Sequence, residues 1–269
     1  IPPCMLLKSD GASLYTTTDL ATIVERMKLF QPDEILYVVD KRQELHFIQV
    51  FRCARKTGLV KEDTRLSFLG FGTMNGKDGK PFKTREGGVM RLENLIADID
   101  EEMFTKIVEN RSVRDKDARD TAKIVGLAAI KYGDLSNQAT KDYIFDVDRF
   151  TSFEGNTGPY ILYTIVRIKS ILNRYVEAGG NLEAGEILPA SNGSEKNLML
   201  QLSGFGSMIE SAFEEKAPHK ICAYIYEVSN AFNSFYHETK ILSEENQAQK
   251  ESYIRLLQLT KRVLETSID

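Results

Sequence analysis

Cysteine is scarce in the sequence: the three that occur, Cys4, Cys53 and Cys222, are odd in number, far apart and in no CxxC pair. This argues against a disulfide framework and a zinc site, and it favours a reducing compartment, so we expect a cytoplasmic protein. No apolar run approaches the roughly 20 residues needed to span a bilayer, so we expect no membrane partner. The 35 basic residues do not outnumber the 39 acidic ones, and the net charge is −4. Any contact with nucleic acid must therefore be local.

The residues that are present predict two domains of different class. The 269 residues are 42% hydrophobic, which is enough to bury a core, and about 150 residues per domain predicts two domains. The first 90 residues alternate like an α/β unit, with strands predicted at residues 14–17 and 34–40, the second of them buried, and helices at residues 20–30 and 44–57. The charged residues 111–123 are expected to form a surface segment or a junction. After residue 142 we predict helices at residues 160–175, 198–214, 221–239 and 246–266.

A basic, glycine-rich segment at residues 76–88 is the most informative stretch of the chain. It contains Lys77, Lys80, Lys83 and Arg85 among its glycines. Such a loop can bring several cations to a polyphosphate and stabilise the charge of a departing phosphate. The alternative is a solvated basic hairpin. It is not a Walker A loop, because the GxxxxGK[ST] spacing is absent.

Two groups of polar residues accompany the α/β pattern. Tyr15 and Asp19 are four residues apart at a predicted strand-to-helix junction, where the carboxylate suits a cationic ligand; alternatively, Asp19 caps the helix and Tyr15 is core. Asp40, Gln43 and His46 follow the second strand, where open α/β sheets bind ligands, although a lone histidine is more often structural.

An aromatic and basic pattern occurs in the helical part. Tyr160, Tyr163 and Arg167 recur at spacings of three and four, so they share one helical face, and such a face can stack unpaired bases or form a core stripe. Phe232 and Tyr236 belong to a similar set near the end of the chain.

In this order the segments resemble those of the arginyl-tRNA synthetases of the common bacterial type, a family of class I aminoacyl-tRNA synthetases. The resemblance rests on Lys-Ser-Asp-Gly at residues 8–11 with Tyr15 and Asp19, and on Asp-x-Arg-Gln-x-x-His-Phe at residues 40–47. It continues through Gly-Lys-Pro-Phe-Lys-Thr-Arg-Glu-Gly at residues 79–87, Phe-Glu-Gly-Asn-Thr-Gly-Pro-Tyr at residues 153–160 and Ala-Pro-His-Lys at residues 217–220. It covers essentially the whole chain.

The resemblance implies an α/β fold followed by an all-α fold. Residues 1–133 would be the C-terminal half of a Rossmann-type catalytic domain with a KMSKS-like loop and stem helices. Residues 134–269 would be a helical anticodon-binding domain of the DALR type. The implied activity is ATP-dependent activation of arginine to arginyl-adenylate and transfer to the 3′ end of tRNA(Arg), with Mg²⁺ accompanying ATP. No DNA partner is implied.

The resemblance also assigns roles to individual residues. It implies that arginine is bound by Tyr15, Asp19 and Gln43, and that ATP is bordered by Asp40, His46, Gly72 and Met74. The lysine loop would act through Lys80, Lys83 and Arg85, although its text, Lys80-Pro-Phe-Lys-Thr84, leaves the register of the KMSKS signature open. The anticodon would be met by Tyr160, Tyr163, Arg167, Phe232 and Tyr236.

Two departures from the family pattern shape the expectation. No HIGH-like sequence occurs, and the Leu-Leu-Gly-Ile type of C-terminal tail is missing. We therefore expect a C-terminal fragment that does not form arginyl-adenylate alone. The alternative is a non-catalytic RNA-binding module derived from a synthetase, which would have no need of Tyr15, Asp19, Gln43 and the lysine loop.

Overall fold

The computed structural model describes residues 1–80, 90–109 and 115–268. The chain divides into two compact units. Unit 1 comprises residues 1–74 and 139–143, and unit 2 comprises residues 75–138 and 144–269. No helix in the described part of the chain is both long and apolar enough to cross a membrane.

Unit 1 is built on two parallel strands joined by a helical crossover. After α1 (Tyr15–Phe30), β1 (Glu34–Asp40) pairs in parallel with β2 (Arg65–Phe71). The crossover consists of a 3-10 turn (Lys41–Gln43) and α2 (Glu44–Lys56). Apolar side chains from these elements and from the loop after α2 form the core, namely Leu20, Ile23, Ile35, Tyr37, Phe47, Val50, Ala54 and Val60. The register pairs Asp40 with Phe71, so both strands end at the same edge of the sheet.

The strand predicted at residues 14–17 is wrong, because α1 begins at Tyr15. The backbone N–H of Leu14 donates to the hydroxyl of Thr17 at 3.4 Å, and the hydroxyl of Thr18 donates to the carbonyl of Tyr15 at 2.8 Å. These local hydrogen bonds satisfy backbone groups in the first turn of the helix. Threonine side chains can therefore stabilise a helix start even though threonine is common in strands.

The two observed strands also differ from expectation. β1 was predicted to be a buried strand, but Leu36 and Val38 are 39% and 56% exposed, while Ile35 and Tyr37 are buried. In the described residues the helices therefore cover one face of β1. β2 was not predicted, because its stability comes from pairing with β1, about 30 residues earlier in the chain.

Unit 2 is helical. Its helices are α3 (Leu92–Glu109), α4 (Asp115–Leu135), α5 (Val147–Phe150), α6 (Gly158–Glu177), α7 (Gly193–Ser203), α8 (Phe205–Glu214), α9 (Pro218–Glu238) and α10 (Gln247–Ile268). The main core lies among α6, α7, α9 and α10, where Ile168, Leu198, Val228, Phe232 and Leu257 are completely buried. The short strands β3 (Met74–Asn75) and β4 (Tyr143–Ile144) pair where the chain passes from one unit to the other.

Two predictions for unit 2 need correction. The helix predicted at residues 198–214 is two helices, because α7 ends and α8 begins on either side of Gly204. Residues 115–123 are helix rather than a surface segment, since Ala118 and Ala122 are buried one turn apart on α4. Small apolar residues among many charges give a weak signal, which explains the error.

Candidate active site and nucleic-acid interface

Asp19 and His46 meet between the two helices of unit 1. Nε2 of His46, in the first turn of α2, lies 2.5 Å from Oδ2 of Asp19, in the second turn of α1. Both side chains are partly exposed, at 28% and 29%. Tyr15 lies one turn before Asp19 on the same face of α1 and is 86% exposed. The alternative in which Tyr15 is a core residue is therefore wrong.

Asp40 and Gln43 lie in the turn between β1 and α2. Asp40 caps this turn: its Oδ1 accepts the backbone N–H of Arg42 at 2.8 Å, and its Oδ2 accepts the guanidinium of Arg42 at 2.6 Å. These hydrogen bonds lower the pKa of Asp40 to about 2. Gln43 precedes the first residue of α2 and is exposed. The structure thus places Asp40 and Gln43 within one short turn, with Asp40 ionised at neutral pH.

Gly72 lies where β2 has ended, and there is no space for a side chain there. Its N–H donates to the carbonyl of Ala139 at 2.8 Å, and a Cβ atom at Gly72 would lie 2.3 Å from the carbonyl oxygen of Lys141. Met74, which begins β3, is half-buried. Gly72 therefore contacts its surroundings through backbone atoms only.

The basic segment is only partly described. Gly76 to Lys80 form a closed turn, in which the N–H of Gly76 donates to the carbonyl of Lys80 at 2.8 Å, and Lys80 is exposed. Lys83 and Arg85 lie outside the described residues.

Lys77 has two carboxylate partners. Its Nζ lies 3.0 Å from Asp146 and 3.1 Å from Asp148, and the hydrogen bonds that it donates to both carboxylates raise its pKa. Lys77, grouped with the other loop cations from the sequence, is thus neutralised locally.

In unit 2 an arginine lies between two aromatic rings. The guanidinium carbon of Arg167 is 4.8 Å from the ring centre of Tyr163 and 5.3 Å from that of Tyr236. Tyr163 is 48% exposed and Tyr236 is 37% exposed. We call these three residues the aromatic platform.

A hydrogen-bond network fixes the aromatic platform from behind. Arg167 donates to Oδ1 of Asn233 at 2.5 Å, and the amide of Asn233 donates to the hydroxyl of Tyr160 at 2.8 Å. Tyr160 donates in turn to Oδ1 of Asn230 at 2.8 Å. Burial raises the pKa of Tyr160, so its hydroxyl keeps its proton. Asn230 was missed from the sequence; its three-residue spacing from Asn233 on α9 was the available signal.

The position of Phe232 is inconsistent with the predicted direct contact with RNA. Its side chain is completely buried, and its ring stacks on that of Tyr236 at 6.1 Å between centroids. At helical spacing the face of α9 that carries Phe232 points into the core, so Phe232 supports Tyr236 from below.

The motif at residues 153–160 builds the start of α6. Thr157 caps the helix by accepting the N–H of Tyr160 at 3.2 Å. Gly158 allows α6 to approach α4 closely, since a Cβ atom there would lie 2.3 Å from the carbonyl oxygen of Ala128 on α4. Asn156 Oδ1 lies 2.5 Å from the hydroxyl of Tyr132, also on α4. The motif therefore sets the packing of α6 against α4.

Comparison with known proteins gives concordant results. Residues 2–147 match the family described as tRNA synthetases class I (R), catalytic domain, and residues 161–269 match the DALR anticodon binding domain. An arginine-tRNA ligase of Agathobacter rectalis is 67% identical over 277 residues, and one of Alkaliphilus oremlandii is 58% identical over 269 residues. Each match covers 100% of this chain and 46% of the relative, so the chain spans about half the length of these relatives.

A solved structure shares the fold. The arginyl-tRNA synthetase of Plasmodium falciparum superposes with a TM-score of 0.82 at 25% identity, over 98% of this chain and 44% of that one. The predicted fold class, α/β followed by all-α, is confirmed. The chain belongs to the class I (R) tRNA synthetases, and it comprises part of their catalytic domain followed by their helical DALR anticodon-binding domain.

Proposed function

We propose that a full-length protein containing this chain activates arginine with ATP and transfers it to the 3′ end of tRNA(Arg). One observation carries the proposal: Asp19 offers a partly exposed carboxylate beside the exposed ring of Tyr15, on one face of α1. A carboxylate in that setting suits a guanidinium, which can form two parallel hydrogen bonds that an ammonium cannot. The names of the relatives, arginine-tRNA ligase, support this reading.

In the proposed site, Asp19 pairs with the guanidinium of arginine, and Tyr15 and Gln43 line the same pocket. His46 contacts only Oδ2 of Asp19, and each carboxylate oxygen can accept a second hydrogen bond, so both oxygens can still accept from a guanidinium. The family resemblance assigns His46 to the ATP ribose. Because His46 also contacts Asp19, we propose that it lies between the arginine site and the ATP site. Binding of arginine then orients its carboxylate for attack on the α-phosphate of ATP.

ATP is proposed to lie along the edge where β1 and β2 end, bordered by Asp40, Gly72 and Met74. Gly72 has no side chain because the backbone of Lys141 fills that space, so its part in this border is made by backbone atoms alone. Lys80, Lys83 and Arg85 would stabilise the negative charge that develops on the departing diphosphate, and Mg²⁺ would arrive coordinated to the phosphates. Lys77 is left out of this set because it is paired with Asp146 and Asp148.

The anticodon loop of tRNA(Arg) is proposed to stack on the aromatic platform of Tyr163, Arg167 and Tyr236. Exposed rings flanking a guanidinium provide π-faces and positive charge for unpaired bases. Tyr160 holds the platform through Asn233 rather than offering its own face. The division into a catalytic part at residues 1–133 and an anticodon-binding part at residues 134–269 belongs to this proposal, and α4 ends at Leu135, close to that boundary.

The test is arginine-dependent exchange of diphosphate into ATP, measured on this chain alone and on the same chain joined to an N-terminal catalytic part. We expect diphosphate exchange only with the longer protein. We also propose that this protein acts in the cytoplasm. The rival reading, a non-catalytic RNA-binding module, predicts binding of tRNA(Arg) without exchange in either protein. Exchange driven equally well by lysine would refute the assignment of arginine.

A further inference from the structure

One carboxylate connects two segments of unit 1 that are distant in the sequence. Asp142 lies in residues 139–143, which belong to unit 1 although residues 75–138 intervene. Its Oδ1 accepts a hydrogen bond from the backbone N–H of Thr73 at 2.8 Å. The same atom lies 2.8 Å from Nζ of Lys41. A single oxygen thus contacts both segments.

The two contacted segments are the ones that we propose to border ATP. Thr73 lies between Gly72 and Met74, and Lys41 directly follows Asp40. The sequence reasoning assigned no role to Lys41 or Asp142.

The backbone around Asp142 is closely packed against the same segment. The N–H of Tyr143 donates to the carbonyl of Thr73 at 3.1 Å, and the N–H of Gly72 donates to the carbonyl of Ala139 at 2.8 Å. These bonds hold residues 139–143 in register beside residues 72–74, so Asp142 cannot drift away from Thr73.

The Asp142 ion pair is poorly placed to stabilise the fold. The side chains of Lys41 and Asp142 are 42% and 47% exposed, and exposed ion pairs contribute little to stability. The hydrogen bonds from Lys41 and Thr73 lower the pKa of Asp142, so the carboxylate is charged at neutral pH. A charged acceptor that adds little stability but contacts two ligand-bordering segments is expected to act on geometry.

We propose that Asp142 is a positioning residue for the nucleotide, which fixes the Asp40 turn relative to the Gly72–Met74 segment through Lys41 and Thr73. The proposal rests on the proposed function, because it takes these segments as the border of ATP. Asp142 itself contacts no reacting atom. Its removal would loosen the nucleotide site and leave Tyr15 and Asp19, the residues on α1 that we propose to bind the substrate arginine, in place.

The experiment compares Asp142→Ala and Asp142→Asn in a full-length ligase that contains these residues, by diphosphate exchange. We expect Asp142→Ala to raise the KM for ATP about 3- to 10-fold and to leave the KM for arginine and the Tm nearly unchanged. Asp142→Asn, which keeps an acceptor for Thr73 but loses the charge, should lie between wild type and Asp142→Ala. Lys41→Gln should match Asp142→Asn.

The matched control is Glu101→Gln, which removes the same charge from another exposed ion pair, with Arg119 at 2.6 Å. It should change neither KM. Equal increases in both KM values, or an unchanged KM for ATP, would overturn the positioning role. The additional variant Asp40→Ala separates the two proposals: if it raises the KM for ATP while Asp142→Ala does not, only the positioning role fails. If neither variant raises it, the proposed ATP border fails as well.

Discussion

Asp19 is the residue from which arginine recognition can be tested most directly. In a full-length ligase, Asp19→Asn removes the charge but keeps the shape, so the guanidinium loses a charge-assisted hydrogen bond worth about 1.5–3 kcal/mol. We expect the KM for arginine to rise at least about tenfold, and that for ATP by less than about twofold.

Steady-state diphosphate exchange with each substrate varied in turn provides the measurement. Glu25→Gln is the control, because Glu25 is an exposed acid on the same helix. Similar increases for arginine and ATP would remove Asp19 from the guanidinium site.

Some of the candidate site was visible in the sequence, because the relevant distances are short along the chain. The spacing of Tyr15 and Asp19 predicted that they face one pocket at a strand-to-helix junction; they lie one turn apart on one face of α1 instead. The contact of Asp19 with His46 joins residues 27 positions apart and depends on how α1 packs against α2. No local pattern specifies that packing, and the same holds for the longer separation between Thr73 and Asp142.

Gly158 determines how closely α6 approaches α4, which gives a prediction about these two helices. In Gly158→Ala the new methyl group would meet the carbonyl oxygen of Ala128, a backbone atom that can move only with its helix. We expect a loss of about 2–3 kcal/mol in the free energy of unfolding, as for overpacked cores.

Urea unfolding followed by circular dichroism measures this loss. Gly193→Ala is the control, since Gly193 also begins a helix but has nothing within 4 Å of the added Cβ. A Gly158→Ala protein as stable as the control would show that the helices can separate at no cost.

The aromatic platform yields a prediction about α6 and α9. Arg167→Lys keeps the charge but loses the planar group between the rings of Tyr163 and Tyr236. Because stacking of one base contributes about 1–3 kcal/mol, the affinity for tRNA(Arg) should fall about tenfold or more.

Fluorescence anisotropy with labelled tRNA(Arg) measures the affinity. Arg174→Lys makes the same exchange at an exposed position two turns further along α6 and should have no effect. Unchanged tRNA affinity in Arg167→Lys would refute the platform.

At the level of helices and strands, prediction succeeded where one face of an element is strongly apolar. β1 is observed at its predicted bounds and α2 nearly so, because a continuous apolar run marks β1 and apolar residues at helical spacing mark α2. Strand formation depends on a partner strand. β2 has one in β1, which lies far away in the chain. Near Leu14 the pairing is limited to one isolated bridge between Leu7 and Ser13, and α1 begins at Tyr15. Gly204 ended a helix that periodicity alone would have continued.

The charge of the whole chain predicts how RNA binding responds to salt. With a net charge of −4, contacts with phosphate must be few and local. Each neutralised phosphate contributes roughly −0.7 to −0.9 to the slope of log K against log salt, so we expect a slope of about −2 to −4 for tRNA(Arg) binding to this chain.

Filter binding from low to moderate salt gives the slope, and a tRNA for another amino acid serves as the control for charge alone. Both slopes should be similar while the affinities differ. A slope near −10 would require a broad basic surface.

Unit 1 is assembled from two separate stretches of chain, and this sets the order in which it can mature during synthesis. Residues 139–143 leave the ribosome after residues 75–138 have been made, although they complete the unit that begins at the N-terminal side. Until then Gly72 has no carbonyl of Ala139 to bond, and Thr73 has no carboxylate to accept its N–H. The edge that we propose to border ATP is thus completed late in the nascent chain, by residues that have no part in the parallel sheet itself.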